Sequence, residues 1–340
     1  MQYSIGILAY NYEKYILELL ESIKYQIVNY GEGIEIFLYL SDDASKDRTV
    51  AIVTTWIKEN SELFQEYEII TTSENKGTTN SYYNLLTRIK TEFFKVIAGD
   101  DVFAQNDIFE DLKTGKAGIA ISHIPLLLRE GILELPIHFL YRNLIYQNTI
   151  RTHEKEIRKF RYGGYVSTPS FFPTRSLINS QCIDFMRQFI VFEDDPTWYI
   201  MLMTNEDLRV SFDTKIKVLY RIHIGSVSNS VSIDKKWYDD VVKMKEQYLC
   251  DSKSIFLHIY ISLYLSDLNY RYIHKKKRQY TLFNLIEKLR REMVRIYAKK
   301  YLSQELMTSL QDECRANQEY YDKIHDVAKL KYDEIVKRLI

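Results

Sequence analysis

Through the first hundred residues, short apolar runs alternate with stretches of helical periodicity, the pattern of parallel strands joined by covering helices. Strands are predicted near 3–10, 34–41, 66–72 and 93–98. Between them, 13–25 places Ile16, Leu19, Leu20 and Ile23 on one face, and 47–58 gathers Val50, Ile52, Val53, Trp56 and Ile57. Both read as amphipathic helices. A third helix is predicted over 80–89, and Gly31 and Gly33 mark the turn into the second strand.

Beyond Asp101 the alternation loosens. A short helix is expected near 106–113, a strand at 117–122, and a hairpin in which Arg129-Glu130-Gly131 turns between 126–128 and 132–135. The segment 162–173 is rich in Gly, Ser, Thr, Pro and aromatics; a helix resumes over 193–203 and a strand over 215–222, leading into a Gly/Ser loop at 224–232. From 233 onward the pattern is helical without a strong break, which sets a boundary near residue 232. The fold class is therefore α/β, a mostly parallel sheet flanked by helices, with an α-helical region at 233–340.

Composition narrows the function classes. The 340 residues are 46% hydrophobic and 27% charged, enough for a large core, and 46 basic residues balance 46 acidic ones. That balance gives no argument for a nucleic-acid partner. Cys182, Cys250 and Cys314 lie far apart without CxxC spacing, which argues against a zinc site or a disulfide framework and fits a reducing, cytoplasmic location. No basic segment followed by an apolar core opens the chain, so a secretory signal is not expected. The longest apolar stretch, 255–265, is interrupted by His258 and is shorter than the ~20 residues that span a bilayer.

Two aspartate pairs, Asp42-Asp43 and Asp100-Asp101, each follow an apolar strand run directly. Carboxylates at neighbouring strand exits suit a hard divalent ion, and such an ion bridges a diphosphate. The loop Ser41-Asp42-Asp43-Ala44-Ser45-Lys46-Asp47 opens a helix, so Ser45 or Asp47 can cap it while Asp43 faces the crevice; for Asp47 capping is the favoured reading. Tyr10-Asn11-Tyr12 would offer an aromatic face and an amide, although such a triplet is also an ordinary turn. Glu193-Asp194-Asp195-Pro196 divides evenly between an acidic helix start and a catalytic group, and His223, taken alone, reads as structural.

Taken in order, these landmarks resemble an inverting glycosyltransferase of family 2 with the GT-A fold. The resemblance rests on Ile5-Gly6-Ile7-Leu8-Ala9-Tyr10-Asn11, the Ser41–Asp47 loop, Asn75-Lys76-Gly77, Gly99-Asp100-Asp101, Glu193-Asp194 and Arg221-Ile222-His223, with Gly164 to Phe172 similar to the segment before the acceptor site. It covers roughly 1–232 and implies a nucleotide-binding half at 1–101 and an acceptor half at 102–232. It also implies that Tyr10 stacks on the nucleobase, that Asp43 hydrogen-bonds it, and that Asn11, Asn75, Gly77 and Asp100 belong to the donor site. By the same resemblance Asp101 and His223 hold Mn²⁺ or Mg²⁺ on the diphosphate of a nucleotide sugar, with UDP the expected carrier. Asp194, beside Glu193, is then the general base, and His223 or Arg221 stabilises the departing diphosphate. Ala98 stands where many members have a further Asp.

The acceptor implied is a hydroxyl of a glycan or lipid-linked molecule in surface polysaccharide synthesis, such as capsule or O-antigen. Two other readings compete. A nucleotidyltransferase would want a Gly-rich, Arg/Lys-bearing loop after the first strand, which Tyr10-Asn11-Tyr12-Glu13 is not. A non-catalytic sugar-nucleotide-binding scaffold would not need the intact Asp101 and Glu193-Asp194.

Outside the resemblance, 271–300 holds eleven basic residues against Glu287 and Glu292, a net of +9, beside apolar Leu282, Phe283, Ile286, Leu289, Met293 and Ile296 at helical spacing. Such a helix packs on the protein, lies on an anionic leaflet at the inner face of the plasma membrane, or forms a homo-oligomer.

Overall fold

A computed structural model describes residues 1–150, 152–163, 166–223, 233–275 and 281–339. Gly164 and Tyr165, the loop at 224–232 and Lys276, Lys277 and Arg278 lie outside the described residues. The first half runs β1 (Gln2–Ala9), α1 (Ile16–Tyr30), β2 (Glu35–Asp42), α2 (Thr49–Glu59), β3 (Glu66–Thr71), α3 (Thr78–Arg88) and β4 (Phe93–Ala98). Then come β5 (Val102–Phe103), α4 (Glu110–Lys113), β6 (Ala120–Arg129), β7 (Ile132–Glu134), α5 (Ile137–Thr149), α6 (His153–Arg161), β8 (Phe171–Pro173), α7 (Ser180–Met186), α8 (Asp194–Thr204) and β9 (Val210–Arg221). Four helices follow: α9 (Lys235–Cys250), α10 (Ile255–His274), α11 (Leu282–Ala298) and α12 (Gln304–Leu339).

The predicted strands form one parallel sheet in the order β3-β2-β1-β4. A second, mixed sheet has the order β5-β9-β6-β7, with β8 on β6; β6 and β9 run parallel. Tyr3, Ile5, Ile7 and Ala9 alternate onto one face of β1 and pack against α1 and α2, where Ile16, Leu19, Leu20, Ile23, Ile52, Val53 and Trp56 are fully buried. The opposite side of α1 is buried too. Glu18, Glu21, Ser22 and Gln26 face protein, and each is satisfied: Trp56 Nε1 donates to Glu21 at 2.7 Å, and Gln26 donates to the Ala104 carbonyl at 2.6 Å.

The predicted pair of strands at 117–122 and 126–128 is a single ten-residue strand, β6. Pro125 reads as a break in the sequence, but the register shifts on either side of Ile124 accommodate it. The hairpin is as expected, with Glu130 and Gly131 both at positive φ between Arg129 and Ile132. Helix α5 was not foreseen, because its buried face carries a polar residue. Asn143, 1% exposed, donates to the carbonyls of Ser122, His123 and Asp213. The last helix turns back onto the first. Ala328 and Ile335 of α12 enter the core beneath β1 and β2, and Leu310, Tyr320, Tyr321 and Ile324 pack with β5, β6 and β9.

Candidate functional site

Because the chain steps from β1 to β2 and β3 on one side and then crosses back to place β4 on the other, the carboxyl ends of β1, β2 and β4 open on one crevice. The loops after β1 and β2 are laced together there. The Asn11 N–H donates to Ser45 Oγ (2.8 Å), the Asn11 side-chain oxygen accepts the Lys46 N–H (2.7 Å), and the Tyr12 N–H donates to Thr49 Oγ1 (2.8 Å). Asp47 accepts the N–H groups of Glu13 and Thr49, both at 3.0 Å, so it holds the start of α2. Tyr10 stays 42% exposed at the crevice mouth.

Asp42 accepts the Ser45 N–H at 2.9 Å. Asp43, 5% exposed, accepts the N–H groups of Lys76 and Gly77, one on each carboxylate oxygen, both at 2.8 Å. It ties the end of β2 to the 75–77 loop, whose Asn75 is exposed. Gly77 is required there: φ is +92°, and a Cβ would sit 2.3 Å from the Ile190 carbonyl. The residue expected to meet the base is thus already bonded to the loop beside it.

At the end of β4, Gly99 lets the chain pass under Tyr12, whose ring would lie 2.8 Å from any Cβ. The two aspartates that follow separate. His223 Nε2 lies 3.0 Å from Asp100 Oδ2, while Asp101 Oδ1 accepts the Arg221 N–H at 2.9 Å. The carboxylate that His223 meets is that of Asp100, while Asp101, expected with His223 on the metal, is the next residue along. Burial, and then the charge of Asp100, push Asp101 well above the usual carboxylate range.

Arg221, expected on the diphosphate, is engaged by protein groups on three sides. Its guanidinium forms a buried ion pair with Glu18, donates through Nε to the Asp100 carbonyl at 2.6 Å, and lies 4.7 Å over the Tyr15 ring. Glu18 further accepts from Tyr321 Oη (3.2 Å) and pairs with His325 Nδ1 (2.8 Å), both on α12. Arg221 fixes the backbone of the second aspartate pair from behind.

The third acidic cluster starts α8 and shares a cleft of about 210 Å³ with Asp101, Lys95, Tyr82, Thr168 and Tyr220. Asp194 Oδ2 accepts from Thr168 Oγ1 at 2.9 Å and Oδ1 accepts the Asp195 N–H at 2.7 Å. Burial raises its proton affinity, and burial beside Asp194 lifts Glu193 to about 8. Asp195 turns away, bonded to Tyr248 Oη at 3.0 Å on α9, which resolves the ambiguity between it and Asp194 as the residue facing the cleft.

Sequence reasoning missed Lys95. It is 3% exposed in the middle of β4 and donates to the carbonyls of Thr168 (3.1 Å) and Phe171 (3.0 Å), with burial lowering it to about 7. The signal was present, since a charged residue inside an otherwise apolar strand needs partners. Thr168 links that lysine to Asp194.

Residues 4–163 match the family model described as glycosyl transferase family 2. That stretch is a family 2 glycosyltransferase domain. The transferase is also similar in structure to S. aureus TarS 1–349 in complex with UDP-GlcNAc, with a TM-score of 0.52 and 16% identity over 98% of this chain and 89% of that chain. The same TarS fragment in complex with UDP gives 0.51 and 16% over 97% and 92%. At that identity the likeness establishes the GT-A fold. No curated protein matches the chain.

The donor set bears on a divalent ion. Asp100 and His223 bring one oxygen and one nitrogen to within 3.0 Å of each other, a pair that suits Mn²⁺ or Mg²⁺ completed by phosphate oxygens. Among the described residues, no group of three His, Cys, Asp or Glu could hold an ion by itself. The residues fit a metal shared with a diphosphate.

Proposed function

We propose that the transferase moves a sugar from a UDP-sugar to a hydroxyl of a glycan or lipid-linked acceptor with inversion, in the synthesis of a bacterial surface polysaccharide. The observation that carries this reading is the position of Asp194, its carboxylate oriented by Thr168 and the Asp195 N–H, on the cleft that Asp101 also lines. TarS supports the donor class, since it forms complexes with UDP and UDP-GlcNAc.

In this reading the exposed Tyr10 ring stacks on the uracil, and Asp43 with Asn11 holds the 75–77 loop and the 43–47 loop around it. Asp100 and His223, with Asp101 beside them, would hold a divalent metal, which would supply positive charge to the diphosphate. Asp194 accepts the proton of the acceptor hydroxyl as that oxygen attacks the anomeric carbon from the face opposite the diphosphate. The new carbon–oxygen bond forms as the bond to the phosphate oxygen breaks, and the electron pair leaves with UDP. Glu193, keeping its proton up to about pH 8, stays neutral beside the base and spares Asp194 a second negative charge.

Two variants test the assignment. Asp194→Asn is expected to abolish transfer while calorimetric UDP affinity changes less than about twofold, because the base acts on the acceptor. Asp100→Ala is expected to remove the Mn²⁺ dependence of UDP binding. Near-normal turnover of the first variant, or metal-dependent binding that survives in the second, refutes the corresponding role.

A further inference from the structure

Three stripes run along α11. Phe283, Glu287 and Ala298 are buried. Leu282, Leu285, Leu289, Met293 and Ile296, at steps of three and four residues, are 55–60% exposed. Lys288, Arg291, Arg295 and Lys299 form an exposed basic stripe between those two. The apolar residues that sequence reading could place against the protein core therefore face outward, and only Phe283 of that set is buried. Five large apolar side chains in one exposed stripe next to one of cations are the composition of a helix lying at a lipid interface.

A second observation lies beneath this helix, where α5 packs on it. Arg142 of α5 has Nε and Nη2 inaccessible to solvent and without a hydrogen-bond partner. Its guanidinium stacks 4.6 Å over the Phe139 ring, and burial lowers it to about 10, with the nearby charge of Arg290 acting in the same direction. Lys159 of α6 sits 5.9 Å over the Tyr146 ring and also feels Arg290. Arg290 is balanced by Glu287 at 2.7 Å, but no carboxylate pairs with Arg142 or Lys159 among the described residues. A buried guanidinium without an acceptor is costly, and the Phe139 ring offsets part of that cost, so the cations open to a partner are those of the exposed stripe.

We infer that the exposed face of α11 is a docking surface for an anionic phospholipid membrane, the apolar stripe entering the interface and the basic stripe of Lys288, Arg291, Arg295 and Lys299 meeting the lipid phosphates. The charge of the surface selects this occupant: two copies of the chain would bring their basic stripes together, whereas an anionic leaflet complements them. The inference is independent of the donor chemistry, so its failure leaves the transferase reading standing.

The test is co-sedimentation of the full chain with phosphatidylcholine vesicles, with and without phosphatidylglycerol. Binding is expected only to the anionic vesicles, and to weaken with salt. Leu285→Ser and Leu289→Ser, at exposed positions that leave the fold intact, should each lower the partition coefficient about tenfold. Arg291→Ala and Lys288→Ala, at exposed positions of the basic stripe, should each lower it about fivefold. Equal binding to neutral vesicles, or none to either, overturns the proposal. So does a solution dimer that the leucine variants dissociate. Wild-type binding by both Arg291→Ala and Lys288→Ala overturns the role of the basic stripe.

Discussion

Replacing Glu18 by Leu should cost far more than an ordinary helix substitution, because this one carboxylate balances Arg221 and receives two side chains of α12. Both members of the ion pair are 7% exposed at their side chains, so removing the carboxylate strands a buried guanidinium, a loss of about 3–5 kcal/mol. The Tyr321 hydroxyl loses its acceptor as well, about 1 kcal/mol, whereas His325 is 49% exposed and can turn to water. The total, about 4–6 kcal/mol, approaches the whole stability of many domains. Arg221→Met in the same chain should recover part of it, since the stranded charge is gone, leaving mainly the Asp100 carbonyl unpaired. Urea titration of the four chains forms a double-mutant cycle, and a coupling energy above about 2 kcal/mol is expected. Hydrogen exchange over α12 should accelerate in the Glu18 variant in parallel. A cost below about 1 kcal/mol, or a coupling near zero, would refute the network as drawn.

Lys95→Met should loosen the 168–171 segment and misplace Asp194 through Thr168, lowering kcat roughly ten- to a hundredfold with little change in donor KM; an unchanged kcat detaches Lys95 from the base. Glu193 gives stability a pH dependence. Its folded value of about 8 lies above the ordinary 4.5, so between those limits the folded state holds a proton that the unfolded chain has released. Its contribution is fully present below about pH 4.5 and is lost as pH rises through 8, with a slope of at most about 1.4 kcal/mol per unit. Glu193→Gln should flatten the fall of Tm across that window, and parallel curves for the two proteins would sink the assignment.

The parallel sheet was legible because each of its strands carries a short, mainly apolar run, and the three strand-end motifs were legible because turn chemistry and carboxylates mark them in sequence. The side-chain partners were not. Asp43 and Asp47 look alike on paper, yet one holds the 75–77 loop and the other the start of α2, a difference set by which backbone N–H groups the fold brings near. Asp100 and Asp101 are adjacent in the chain, but the turn points one toward His223 and fixes the other on the Arg221 backbone. Glu18 reads as a solvated helix residue, because nothing local announces a partner some three hundred positions away. Arg142 was equally silent, since a basic residue in an amphipathic pattern is ordinarily taken to be hydrated.

Tyr332 of α12 donates to Glu13, the residue that closes the loop after β1, across a sequence separation of 319 residues. At ribosomal rates of about 5–20 residues per second, that bond cannot form until roughly 15–60 s after Glu13 is made. During that interval the loop lacks the Tyr332 contact, and Glu18 waits for Tyr321 and His325. The donor crevice is thus among the first parts of the chain to be synthesised and among the last to reach its final set of bonds.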